Sequence, residues 1–318
     1  MKTITETNRQ LINVVVAEGL NKLPAGVIEK DFLVTEVLQE LAGISIAEMD
    51  IVFCGGTCLS KAHSLIERMS EDLDFKVRLS EEVSRSARSR QLRQLKHDLT
   101  KHFVDMGFHV PDDGVTARDE NNYFFLALHF QSAFPKVVSL RSEIQVEFSA
   151  RPIITPTQSL AITSMLEVSA SLPSQAFEMT YVSIEETLAE KVLSILRRTA
   201  QMRVRNSSGG FDLRLFRHLF DVHAIMHSHP GIISMVPLAL FSQLVVEDAA
   251  QFSRQHPEFV INPLVEISGA LGAIKTDPMF RLHYDDFLKD LVYGEPVAFE
   301  TALAAFEDAA VALGAVTS

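Results

Sequence analysis

Apolar residues recur at helical spacing over the first forty or so positions. In Asn8–Leu23 the residues Leu11, Val14, Val15, Ala17, Leu20 and Leu23 share one stripe, and Ile28–Leu41 repeats the pattern through Phe32, Val34, Val37, Leu38 and Leu41. Both segments are predicted helices. The period breaks at Asp50–Cys54, where Ile51, Val52 and Phe53 make a short apolar run that stops at Gly55-Gly56. That run predicts a buried strand, with Thr57 as the N-cap of a helix reaching about Glu67. Asp72–Leu79 then alternates, with Leu73, Phe75 and Val77 on one face, which predicts a second strand. A polar, arginine-rich helix is expected from about Ser80 to Phe108.

The middle of the chain reads as β-structure. Asn122–Phe130 and Lys136–Ser149 are rich in Phe, Leu, Val and Ile, and Ala133-Phe134-Pro135 between them suits a hairpin turn. Thr155–Leu172 fits neither period. Pro173–Ser183 reads as an extended connection into a long helix from Ile184 to about Thr199, followed by a loop at Asn206-Ser207-Ser208-Gly209-Gly210. Helical spacing returns in Asp212–His227, Pro237–Gln255, Phe280–Tyr293 and Phe299–Leu313. The expected fold is α+β: a mixed sheet flanked by helices over residues 1–180, then a helical domain over residues 181–318.

Composition narrows the function classes. An apolar share of 47% over 318 residues supports a sizeable core, and the net charge of −12 argues against coating nucleic acid by bulk charge. The longest apolar run, Ile232–Phe241, falls short of the roughly 18 residues a bilayer span needs and contains Pro237, so it reads as a buried segment. Met1–Val15 places polar residues where a signal peptide needs apolar ones. The two cysteines, Cys54 and Cys58, provide neither a disulfide framework nor a CxxC pair, and the expected compartment is a reducing cytoplasm. Two runs are locally basic: Arg85, Arg88, Arg90, Arg93, Lys96 and Lys101, and later Arg197, Arg198, Arg203, Arg205, Arg214 and Arg217. Each reads either as a solvated helix face or as the rim of a phosphate-guiding groove.

Chemistry concentrates in Gly55-Gly56-Thr57 and Ser70-Glu71-Asp72-Leu73-Asp74-Phe75. Strand alternation puts Asp72 and Asp74 on one face while Leu73 and Phe75 enter the core. Paired carboxylates repel unless a cation neutralises them, and oxygen-only ligation favours Mg²⁺. A glycine pair between a strand and a helix can hold a phosphate on backbone N–H groups, with Lys61 one turn on as added positive charge. A third carboxylate is sought on Ser142–Ser149, where Glu147 is preferred because it lies deepest in the apolar stretch, and Glu143 is the fallback. A glycine turn, a DxD strand and then an acidic strand form the layout of a nucleotidyltransferase site. His223 and His227 lack further ligands at useful spacing, Cys54 and Cys58 read as apolar filler, and Phe124-Phe125 reads as core.

The motif Cys54-Gly55-Gly56-Thr57-Cys58-Leu59-Ser60-Lys61 with Arg68-Met69-Ser70-Glu71-Asp72-Leu73-Asp74-Phe75 resembles the AbiEii/AbiGii nucleotidyltransferase toxin family. Glu29-Lys30-Asp31-Phe32 is similar to that family's lead-in, and Val146-Glu147-Phe148 to its third acidic strand. Glu186-Thr187-Leu188-Ala189-Glu190-Lys191 and Arg217-His218-Leu219-Phe220-Asp221-Val222 resemble its helical motifs. Two positions depart from the pattern. Gly56-Thr57 stands where the superfamily has Gly-Ser, so Thr57 or Ser70 must supply any hydroxyl; and His218 replaces an acid.

The resemblance implies transfer of a nucleotide from an NTP to an acceptor, with loss of pyrophosphate, by a toxin of a toxin–antitoxin or phage-defence system. It implies an RNA acceptor, the 3′ end of tRNA, and a cognate antitoxin. Asp72 and Asp74 would hold Mg²⁺ on the triphosphate, and Glu147 would share a second Mg²⁺ and deprotonate the attacking hydroxyl. Lys191 would neutralise the triphosphate, and Asp221 would orient Lys191 or contact the nucleotide. Gly55, Gly56, Thr57, Lys61 and Ser70 would line the nucleotide. A protein or small-molecule acceptor, or a non-catalytic nucleotide-binding regulator, are the rival readings.

Overall fold

The computed structural model describes all residues except 45, 47–48, 81–82, 138–139, 174, 206–214 and 317–318, together with the side chain of Arg205. The chain divides into two compact units. The first comprises Met1–Ser64 and Met69–Val182, and the second Leu65–Arg68 and Ser183–Ser318.

In the first unit, helices α1 (Glu6–Ala17) and α2 (Ala25–Gly43) precede strand β1 (Met49–Cys54), helix α3 (Gly55–Lys61), strand β2 (Asp72–Leu79) and helix α4 (Arg85–Asp105). Then come β3 (Val115–Arg118), β4 (Tyr123–His129), β5 (Glu143–Ser149), β6 (Gln158–Ile162), α5 (Met165–Ser169) and β7 (Phe177–Tyr181). The seven strands form one sheet in the order β3-β4-β5-β2-β1-β7-β6. It is mixed: β2–β5 and β1–β7 run parallel and the other neighbours antiparallel.

Leu73, Phe75, Val77, Ile144, Val146, Phe148, Phe124 and Leu126 are buried in one core with Val34 and Leu38 of α2 and Leu92, Leu95, Leu99 and Phe103 of α4. Across it runs a ladder of rings at directly paired positions: Phe53–Phe75 and Phe75–Phe148 at 5.3 Å between centroids, and Phe124–Phe148 at 4.8 Å. Slipping any of these strands by one residue would turn its ring out of the core, so the ladder pins the register.

In the second unit, α6 (Ile184–Arg205), α7 (Phe216–Ser228), α8 (Ile232–Met235), α9 (Leu240–Gln251), α10 (Pro257–Ile261), α11 (Pro263–Thr276), α12 (Pro278–Leu291) and α13 (Phe299–Ala312) form a helical bundle. The stripe Leu188, Val192, Ile195 and Leu196 of α6 is buried, as are Phe216 and Phe220 of α7. Phe216 and Phe220 meet Phe280 and Phe287 of α12 edge to face at 5.5 and 5.8 Å. No described helix is long and apolar enough to cross a membrane.

Several expectations need correction. Helix α1 ends at Ala17 and buries Ile12 and Val15, leaving Val14 and Leu20 exposed. Helix α3 stops at Lys61, short of Glu67, and Thr57 lies inside it while Cys54 occupies the N-cap. Strand β5 begins at Glu143, so the β4–β5 connection is a long loop rather than a tight hairpin at Ala133-Phe134-Pro135. Pro173–Ser183 contains strand β7, and β3, β6 and α11 add elements the periodicity did not reveal. Within Ile232–Phe241, Met235 and Leu238 are exposed, so that run is only partly buried. The loop expected at 206–210 and Arg214 lie outside the described residues.

Candidate active site

The ladder that fixes the core face also fixes its opposite. One residue along from Phe53, Phe75 and Phe148, the register pairs Cys54 with Asp74, and Asp74 with Glu147. Asp72 pairs with Gln145 on the same face. The apolar neighbours Leu73, Phe75, Val146 and Phe148 are buried, whereas Asp72, Asp74, Gln145 and Glu147 are half-buried. Thus Asp72, Asp74 and Glu147 share one face of two adjacent strands, with Glu143 further along it. Tyr123 donates its hydroxyl to Glu147 Oε2 at 2.8 Å. Burial raises the Tyr123 pKa and the Glu147 charge raises it further, which keeps that phenol protonated.

The glycine turn abuts this face. Gly55 has φ +78°, and a Cβ there would strike the Asp74 carboxylate. Only glycine allows both that backbone conformation and that approach. Thr57 is fully buried, and its hydroxyl donates to the Asp72 carbonyl at 2.5 Å, 2.9 Å from Ser70 Oγ. The Thr57 hydroxyl is therefore committed to holding the start of β2, which leaves Ser70 as the half-buried hydroxyl beside the turn.

Three consecutive buried charges on α2 brace the same region, and sequence reasoning assigned them no role. Glu29 accepts from the Ala133 N–H at 2.7 Å and from the Ser132 hydroxyl. Lys30 pairs with Glu71 at 2.5 Å and donates to the Arg141 carbonyl at 2.9 Å, while Glu71 accepts from the Arg141 N–H at 3.0 Å. Burial lowers the Lys30 pKa, opposed by the Glu71 charge. Asp31 accepts from Lys61 at 2.7 Å and from the Met165 N–H at 2.8 Å. Lys61 donates also to Thr35 at 2.8 Å. The Lys61 side chain is 8% exposed and its ammonium is engaged by the scaffold, not directed at the phosphate turn as expected.

Arg141 is another residue the sequence did not flag. Its Nη1 contacts Asp72 Oδ1 at 2.5 Å and also Gln145 Oε1. Among the described residues no three His, Cys, Asp or Glu side chains form a ready-made metal cage. The donor set still suits Mg²⁺, which is held by one or two carboxylates completed by substrate phosphates rather than by an all-protein cage.

In the second unit, Asp221 is fully buried on α7. Arg68 Nε and Nη2 each reach it at 2.7 Å, and Lys191 Nζ does so at 2.7 Å from α6. Burial alone would raise the Asp221 pKa. The Arg68 and Lys191 charges overcome that and hold it well below the carboxylate range. Asp221 thus pairs with Lys191 as well as with Arg68. Arg68 stands in the sequence only as part of a motif, since nothing local marks its partner 153 residues away. His218 is held neutral by burial and by the charge of Lys191, and no described residue hydrogen-bonds its enclosed Nδ1.

Other candidates settle into ordinary roles. Arg85 pairs with Glu120, Arg88 with Asn122 and the Ala150 carbonyl, and Lys96 with Asn121, while Arg90 and Arg93 are exposed. In the later run Arg197 pairs with Asp248 at 2.8 Å and covers the Phe252 ring. Cys54 and Cys58 are buried and form no disulfide. His223 and His227 stack at 5.7 Å. Phe124 is core, whereas Phe125 pairs with Glu147 on the acidic face.

A mixed sheet with helices on its flanks, a glycine turn after β1 and a DxD strand beside it defines a nucleotidyltransferase-type fold. The chain belongs to the AbiEii nucleotidyl transferase toxin family of type IV toxin–antitoxin systems, whose profile matches residues 36–305. Its fold is similar to that of MenT4, a nucleotidyltransferase toxin from Mycobacterium tuberculosis H37Rv, at 17% identity and a TM-score of 0.51, over 99% of this chain and 91% of that one. A sequence search of curated proteins finds no match.

Proposed function

We propose that this toxin transfers a nucleotide from an NTP to the 3′ end of tRNA in the cytoplasm, with Mg²⁺ as cofactor and a cognate antitoxin as its regulator. The observation that carries the reading is the direct pairing of Asp74 with Glu147 on the face that also bears Asp72. Asp72, Asp74 and Glu147 would hold the cations. When bound, Mg²⁺ neutralises the triphosphate and lowers the pKa of an attacking hydroxyl. Glu147, which accepts a hydrogen bond from the Tyr123 hydroxyl, would take the attacking hydroxyl's proton. Gly55, Gly56 and Ser70 would line the triphosphate, where the close approach permitted by Gly55 matters most. Lys191 and Asp221, which the family resemblance marks as functional, form a buried pair within the second unit. Lys61 and Thr57 drop out of the nucleotide set, because both are engaged by the scaffold. Exposed Arg90 and Arg93 would guide the acceptor's phosphates.

The test is incubation with each labelled NTP in turn, Mg²⁺ and total RNA. Label should enter the tRNA band, and Asp72→Ala or Asp74→Ala should abolish it without loss of fold by circular dichroism. Label on protein, on a small molecule or nowhere would overturn the tRNA reading. Persistent transfer by either aspartate variant would move the site elsewhere.

A further inference from the structure

The acidic face already holds a cation of its own. Arg141 Nη1 lies 2.5 Å from Asp72 Oδ1 and also contacts Gln145, the residue paired with Asp72 across β2 and β5. Arg141 and Asp72 are 17% and 19% exposed, so the ion pair is shielded but reachable. The root of the arm is fixed twice. Its N–H donates to Glu71 and its carbonyl accepts from Lys30, two residues that form a buried pair. With the backbone tied down, the guanidinium can leave Asp72 by side-chain rotation alone. A carboxylate oxygen that accepts a charge-assisted hydrogen bond at that distance has no room for a metal ion on the same lone pair.

We infer that Arg141 is the resident counter-ion of Asp72, and that a divalent cation competes with it for Asp72 Oδ1 and displaces it from that oxygen on binding. The inference rests on the reading of Asp72 as a metal ligand. It makes Arg141 a positioning residue. The arm spares the acids from mutual repulsion before substrate arrives and raises the metal concentration needed to load the site in the absence of nucleotide.

The experiment measures Mn²⁺ binding to the full chain without nucleotide, by electron paramagnetic resonance of the free ion. Arg141→Gln removes the charge at similar length and should tighten Mn²⁺ binding about tenfold, while Arg141→Lys keeps the competitor and should bind as the wild type does. The double variant Arg141→Gln with Asp72→Asn should lose the gain. Thermal melting of each variant confirms that it is folded. If Arg141→Gln binds Mn²⁺ within twofold of wild type while Asp72→Asn weakens both, the exchange is wrong although Asp72 remains a ligand. If Asp72→Asn leaves binding unchanged in either background, the metal reading of Asp72 fails, and the exchange fails with it.

Discussion

Replacing Asp221 by Asn keeps the shape of the side chain and removes its charge, which isolates what the buried cluster contributes. Asp221 takes three charge-assisted hydrogen bonds at 2.7 Å, two from Arg68 and one from Lys191, and none of the three side chains is more than 6% exposed. After the change, two enclosed cations face each other without an anion. Breaking a buried ion pair in this way costs about 3–5 kcal/mol. A domain's whole stability is roughly 5–15 kcal/mol, so the loss is plain in urea denaturation followed by circular dichroism. Adding Lys191→Met to the Asn variant removes one of the stranded charges and should recover at least about 1 kcal/mol. The pH dependence has a defined sign. Because the folded-state pKa of Asp221 is depressed, its contribution is fully present above the unfolded value near 4 and is lost as the pH falls through the folded value. The difference between wild type and variant should therefore be flat from about pH 5 to 7 and narrow below about pH 4. A loss under about 1 kcal/mol at pH 7, or a double variant weaker than the single one, would refute the cluster as a charge-compensated unit.

Gly55→Ala should cost about 1–2 kcal/mol, because alanine must take φ +78° and push the Asp74 carboxylate aside; it should also abolish nucleotide transfer, and full activity in a folded variant would refute the close packing. His218 is kept neutral by burial and by Lys191, with Arg198 and Arg68 adding to this and Asp221 opposing it, so it takes up a proton in the unfolded chain before it does in the fold. Stability should then fall by up to about 1.4 kcal/mol per pH unit below about pH 6.5, and His218→Asn should flatten that slope in denaturation series from pH 7 to 5; equal slopes would contradict it.

What the sequence revealed of the site was its local part. Alternation in Asp72–Leu79 separates the acids from the core residues within one strand, and the pattern Glu143, Gln145 and Glu147 does the same in β5. That these strands are neighbours, in a register pairing Asp74 with Glu147, depends on the ladder of Phe53, Phe75, Phe148 and Phe124, which come from four separate strands. No local signal reports such a contact. Thr57 shows how a local rule fails: a threonine after two glycines suggests an N-cap, but the carbonyl of Asp72, 15 residues on, claims its hydroxyl. β3 spans only Val115–Arg118 and β7 only Phe177–Tyr181; runs so short leave little alternation to read. The arginine partners of Asp72 and Asp221 were hidden for the same reason as the ladder, since Arg141 and Arg68 lie 69 and 153 residues away.

Glu29, Lys30 and Asp31 bear on why charge is buried around this face at all. Successive helix residues point about 100° apart, so three in a row can all be enclosed only on a helix packed on every side. α2 is such a helix, since Val27, Ile28, Leu33 and Val34 around the triad are buried as well. Buried ion pairs are weak stabilisers, and well-packed apolar residues often serve stability as well or better. The triad's value is therefore better sought in what each charge holds. Glu29 ties the loop at Ser132 and Ala133, Lys30 ties Glu71 and the root of Arg141, and Asp31 ties Lys61 of α3 and the start of α5. Asp72 is then bracketed, with Glu71 fixed by Lys30 on one side and its own carbonyl fixed by Thr57 on the other. An apolar helix could fill the same space but could not specify those positions to hydrogen-bond accuracy, which the proposed sharing of a cation by Asp72, Asp74 and Glu147 would require.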